Sequence, residues 1–151
     1  MANNLYKVKA ELPIKAIWNF VSIMDNWAPL VPGYIEHTII NESESTWTFK
    51  TDLGLIKKKI QLKVDITEWI EPEKVTFKLT GINEKISGNG YFEAKASDQE
   101  NTFITGYLEI IPEGAMAKMI QSKLKKNLSE MTKEMTDAII EKIKEQEKVI
   151  K

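Results

Sequence analysis

The spacing of apolar residues changes period twice along the chain. Residues 5–12 alternate loosely and predict a strand leading to Pro13, a residue tolerated in the first turn of a helix. Ile14, Ile17, Trp18, Val21 and Met24 then recur at three- and four-residue steps, which predicts a short helix or helix pair. Asn26-Trp27-Ala28-Pro29 ends it, and Val31-Pro32-Gly33 reads as a turn. Beyond Gly33 the period becomes two. Trp47, Phe49, Thr51 and Leu53 share one side of a strand, with Thr46, Thr48, Lys50 and Asp52 on the other. The alternation is clearest over residues 56–70. Ile56, Ile60, Leu62, Val64, Ile66 and Ile70 take the inward parity, and Lys57, Lys59, Gln61, Lys63, Asp65 and Thr67 the wetted one.

Glu71-Pro72-Glu73 predicts a hairpin turn, after which Val75, Phe77 and Leu79 resume the inward row. Two more strands are expected at about residues 85–96 and 102–111, and residues 34–41 form the first strand of this meander. Pro112-Glu113-Gly114 breaks the sheet. One long helix follows from about Ala115, with Met116, Met119, Ile120, Leu124, Leu128, Met131, Met135, Ile139 and Ile143 on one stripe. The fold class is α+β. A curved seven-stranded antiparallel sheet wraps the long C-terminal helix, and the first strand closes against the last.

Composition narrows the chemistry. A chain of 151 residues suits one domain, residues 1–151, and folding hides roughly 68–70% of its unfolded surface. The net charge is -1, and every basic residue is lysine. Without arginine there is no planar fork for phosphates or guanines, and no nucleic-acid partner is expected. The absence of cysteine excludes disulfides and thiolate sites, and one histidine excludes a histidine-based metal site. No metal and no cofactor are expected. Neither a signal-like apolar run nor a membrane span is visible, so the expected location is the cytoplasm.

No motif specifies catalysis. Asp52, Asp65, Glu68 and Glu71 read as solvated carboxylates, since no spacing places two of them on one buried face. His37 is assigned no catalytic or core role. Lys57-Lys58-Lys59 reads as a solvated strand edge. Lys58 alone shares the parity of Ile56 and Ile60; it either snorkels or meets a polar ligand head at the cavity mouth. Gly88-Asn89-Gly90 lies within a strand and lacks the helix of a phosphate loop, so the glycines mark a bend or leave room on the concave face. Gly106 suits the same purpose. A bent sheet, concave glycines and a methionine-rich helix together point to an apolar cavity.

The order and spacing of several short motifs resemble a known superfamily. They are Ile17-Trp18, Val31-Pro32-Gly33, Asp52-Leu53-Gly54, Glu71-Pro72-Glu73-Lys74-Val75, Gly81, Gly88-Asn89-Gly90 and Glu113-Gly114-Ala115-Met116-Ala117. Over residues 5–143 the chain resembles the START-like helix-grip (SRPBCC) superfamily, and within it the CoxG family of carbon monoxide dehydrogenase proteins. The resemblance implies a cavity between sheet and long helix for lipids, quinones or polyketides, and for some relatives an association with molybdenum hydroxylase complexes. Longer relatives carry a membrane-attaching extension. This chain ends in Glu145-Gln146-Glu147-Lys148-Val149-Ile150-Lys151, so no stable membrane anchor is expected.

The expected function is non-enzymatic binding of a small hydrophobic or amphipathic ligand. Phe77, Phe92, Leu108, Met116, Met119, Ile120 and Met131 are expected in the wall, with Gly90 leaving volume and Trp47, Phe49, Ile60 and Leu62 behind them. The alternatives are a cyclase or dehydratase on a polyketide-type substrate, which needs an acid or base such as Lys58, Tyr91 or Tyr107, and an interaction protein for a partner not specified by the sequence.

Overall fold

The computed structural model describes residues 2–31, 33–52, 57–83, 85–114 and 117–150, and within them the side chains other than those at 2, 51–52, 57–58, 120, 123–126 and 147–150. In chain order the elements are β1 (Ala2–Ala10), α1 (Ile14–Val21), α2 (Met24–Trp27), a 3-10 turn (Ala28–Leu30), β2 (Tyr34–Ile39), β3 (Glu44–Asp52), β4 (Lys57–Ile70), β5 (Lys74–Gly81), β6 (Ile86–Ala96), β7 (Thr102–Pro112) and α3 (Ala117–Ile150).

The strands form one antiparallel sheet in the order β1-β7-β6-β5-β4-β3-β2. Strands β2 to β7 pair in sequence as hairpins, and β1 pairs with β7. This leaves β1 and β2 as the edges. α3 lies against β1 and β7, and α1 and α2 cap the other end of the concave face. The helices bury one face of the inner strands, which is why polarity alternates along β4 and β7.

The inward row of β4 is buried at Ile60, Leu62, Val64 and Ile66. Ile56 lies outside the described residues. At its C-terminal end this row departs from strict alternation. Ile66 pairs with Phe77, but Glu68 pairs with Thr76, so two residues of β4 oppose one of β5. Such a bulge reverses the parity beyond it. Ile70, expected inward, is 43% exposed. Trp69 turns in instead and meets Trp18 edge-on, with ring centroids 6.2 Å apart.

The stripe on α3 also differs from expectation. Leu128, Ile139, Ile140 and Ile143 are buried, and so are Thr132 and Thr136. Each threonine hydroxyl donates to the carbonyl one turn back, Thr132 to Leu128 and Thr136 to Thr132, both at 2.8 Å. A hydroxyl satisfied within its own helix can be buried at little cost. Met119, expected on the buried stripe, is 39% exposed. Its turn precedes the stretch of α3 that lies on the sheet.

Candidate functional site

The concave face of the sheet and the middle of α3 border a partly open apolar cavity of about 140 Å³. Trp47 and Phe49 of β3, Leu62 and Val64 of β4, and Val75, Phe77 and Leu79 of β5 form the sheet side. Phe92, Gly106, Leu108 and Ile110 continue it, and α3 contributes Met131, Thr132, Met135, Thr136 and Ile139. Val21, Trp27 and Val31 close the end under α2. Trp27 stands edge-on to Trp47 at 5.3 Å and tilted against Phe77 at 6.2 Å.

Polar atoms in this wall are already engaged. The Trp27 indole N–H donates to the Val21 carbonyl at 2.9 Å, and the Trp47 N–H to Ser45 Oγ at 2.7 Å. The Ser45 hydroxyl in turn donates to Met24 Sδ. Thr132 and Thr136 donate within α3. Among the described residues the lining contains no charged side chain, and no cluster of His, Cys, Asp or Glu could hold a metal.

The expected wall residues separate into groups. Trp47, Phe49, Leu62, Phe77, Phe92, Leu108 and Met131 border the cavity. Ile60 is buried in the core but does not border it, and Met119 faces solvent. Met116 lies outside the described residues, as do the side chains of Lys58 and Ile120. Gly90 has the expected inward parity, buried between two exposed or half-buried neighbours, yet it leaves no usable space. A Cβ there would lie 2.4 Å from the Tyr107 carbonyl oxygen and 2.6 Å from Phe77 Cζ. The Phe77 ring occupies the volume that the missing side chain vacates.

Tyr91 and Tyr107 also border the cavity, but they carry the outward parity of their strands, and their rings stack at 5.2 Å. Burial, followed by a hydrogen bond to Glu109, holds the Tyr107 hydroxyl above its ordinary pKa of 10.0. It is therefore protonated at neutral pH and no base.

His37 is not the idle surface residue the sequence suggested. A second bulge, between Tyr34 and Glu36, aligns His37 with Trp47 on the inward side of β2. Its side chain is 12% exposed. Nε2 lies 2.6 Å from Asp25 Oδ1, and Nδ1 lies 2.6 Å from the Tyr34 hydroxyl. A carboxylate only accepts, so in the neutral imidazole Nε2 carries the hydrogen and Nδ1 accepts from Tyr34. The chain of bonds ties α2, which bears Trp27, to β2. The sequence signal was slight, a histidine three residues after a tyrosine and twelve after an aspartate.

A family model matches residues 1–146 of the chain. Among solved structures, a conserved protein from Geobacillus kaustophilus aligns with a TM-score of 0.81 at 14% identity, covering 95% of both chains. A START superfamily protein from Mycobacterium smegmatis aligns at 0.73 and 10% identity, covering 97% of this chain and 99% of its own. The chain has the START-like helix-grip fold. The Zhui aromatase/cyclase from Streptomyces sp. R1128 shares the fold at a TM-score of 0.67 and 11% identity, over 94% of this chain and 93% of that one. No curated protein matches by sequence. Likeness at these identities concerns the backbone. Thr132, Thr136, Met135 and Trp27, which the periodicity alone did not place in the wall, also border the cavity. Among the described residues no helix is long and apolar enough to cross a membrane.

Proposed function

We propose that this START-like protein binds a small hydrophobic or amphipathic molecule in the cavity between sheet and α3, without transforming it. The observation that carries the reading is a cavity walled by carbon, with its few polar atoms internally satisfied. Desolvation of the ligand is then the driving force, at roughly 0.8 kcal/mol per buried CH₂ before ordering costs. The contacts proposed are Trp47, Phe49, Leu62, Phe77, Phe92, Leu108 and Met131, with Met135 and Trp27 added from the geometry. The CoxG-like motifs favour a lipid-type ligand; the protein is proposed to work in the cytoplasm, as one domain over residues 1–151.

The fold shared with the Zhui aromatase/cyclase favours a second reading, a cyclase-type enzyme. Catalysis of that kind needs a proton donor or acceptor within reach of the substrate. On the inward parity the described wall supplies none that is free, and the two tyrosines that border it, Tyr91 and Tyr107, lie on the outward parity. Assembly with a molybdenum hydroxylase-type partner is the remaining alternative, and it requires no occupied cavity.

Native mass spectrometry of the purified protein, paired with titration of an apolar fluorescent probe against Trp27 and Trp47 emission, tests the reading. A co-purifying apolar molecule or saturable quenching is expected. A protein that neither carries nor takes up any apolar molecule is no binder.

A further inference from the structure

The volume and the hydrogen-bond state of the wall limit the ligand more narrowly than the fold does. We propose that the buried part of the ligand is a plain hydrocarbon group of about six to eight carbons, without a carbonyl inside the cavity; this rests on the binder reading above. An apolar cavity of about 150 Å³ takes one benzene molecule, and this one measures about 140 Å³. A fused polyketide ring system does not fit that space. A single ring or a short branched alkyl group does.

Hydrogen bonding sets the second limit. A carbonyl oxygen moved out of water needs a donor, or its lost hydration goes uncompensated. The indole N–H groups of Trp27 and Trp47 and the hydroxyls of Thr132 and Thr136 are each spent on protein acceptors at 2.7–2.9 Å, and the Tyr91 and Tyr107 rings, which also border the cavity, stack on the outward parity of the sheet. Strand N–H groups along the floor are committed to the ladder. An oxygen-bearing ring would therefore have to break an existing bond to satisfy itself. A quinone or polyketide ring suffers this penalty more than once, whereas an alkyl or aryl group suffers none. Aromatic edges at Trp27, Trp47 and Phe77, with the thioethers of Met131 and Met135 opposite, suit a flat or branched apolar group. A polar end of the same ligand must stay outside.

Calorimetric titration with toluene, benzaldehyde and 1,4-naphthoquinone tests both limits, since toluene and benzaldehyde differ by one oxygen at nearly equal size. Toluene is expected to bind at least about tenfold more tightly than benzaldehyde, the equivalent of 1.4 kcal/mol, and naphthoquinone not at all. Benzaldehyde or naphthoquinone binding as tightly as toluene overturns this proposal and leaves the binder reading intact. If none of the three binds, and no apolar dye does, both fall. Met131→Trp, filling the cavity, should abolish toluene binding while keeping the parent's melt. Should that variant not fold, Leu108→Ala decides the matter: it should admit naphthalene, which the parent refuses, and equal naphthalene binding by both proteins overturns the size limit.

Discussion

Gly106 of β7 and Thr136 of α3 meet so closely that a Cβ on the glycine would lie 2.5 Å from the threonine Oγ1. The long helix crosses the sheet where the strand has no side chain. Phe92 pairs with Gly106 across β6 and β7, so the same point borders the cavity. Gly106→Ala should force Thr136 to rotate and give up its bond to Thr132, or α3 to lift. Either outcome costs about 1–3 kcal/mol, read as a lower urea midpoint with an unchanged slope. Gly90→Ala should cost at least as much, because the atom it meets is a backbone oxygen that cannot rotate away. A Gly90→Ala protein as stable as the parent would contradict the Phe77 placement.

The Asp25–His37–Tyr34 chain predicts a measurable coupling. Its members are joined at 2.6 Å on both sides of one imidazole. His37→Ala should destabilise the protein by about 1–3 kcal/mol, since it leaves a half-buried tyrosine hydroxyl without its acceptor. A double-mutant cycle with Tyr34→Phe should return about 0.5–1.5 kcal/mol of interaction energy. Additive single-mutant losses would mean that the bond contributes nothing.

The bulge in β4 predicts opposite fates for two neighbours. Ile70 is exposed, and Ile70→Thr should change stability by no more than about 0.5 kcal/mol. Trp69 packs edge-on against Trp18, and Trp69→Ala should cost about 3 kcal/mol. Thermal melts of the two variants compare them directly. The reverse order would mean that strict alternation runs to the end of the strand.

The acid limb of the stability curve should depend in part on Glu44. Its hydrogen bond from Lys63, at 3.0 Å, and then that from Asn41 hold its carboxyl below the ordinary value of 4.5. A carboxyl depressed by folding stabilises the protein above its unfolded pKa and loses that contribution as pH falls through the folded one. Glu44→Gln should therefore lower stability slightly at pH 7 and hardly at all well below pH 4. Because the pair is exposed, the difference should shrink further in high salt. A difference that grows on acidification would reverse the sign.

Much of the architecture was legible as pattern. Alternation at Ile60, Leu62, Val64 and Ile66 specified a half-buried antiparallel strand, and the three- and four-residue steps from Leu128 to Ile143 specified the long helix. Where the pattern misled, a local device was responsible. One extra residue near Thr67 exchanged the places of Trp69 and Ile70, and nothing in that stretch distinguishes a bulge from regular pleating. Thr132 and Thr136 read as polar, yet an intrahelical hydrogen bond lets both be buried.

By itself the sequence determined the fold class, the inward parity of most strands and the absence of cysteine, arginine and any histidine cluster, because these follow from period and residue type alone. Only the tertiary structure decided where empty space remains. Gly90 and Gly106 have the same inward parity, but Phe77 fills the room above one and α3 the room above the other. The structure alone likewise joined Asp25, Tyr34 and His37 and left the wall without a free donor. Volume and hydrogen-bond satisfaction depend on which side chains from distant segments meet, and no local pattern in the chain encodes those meetings.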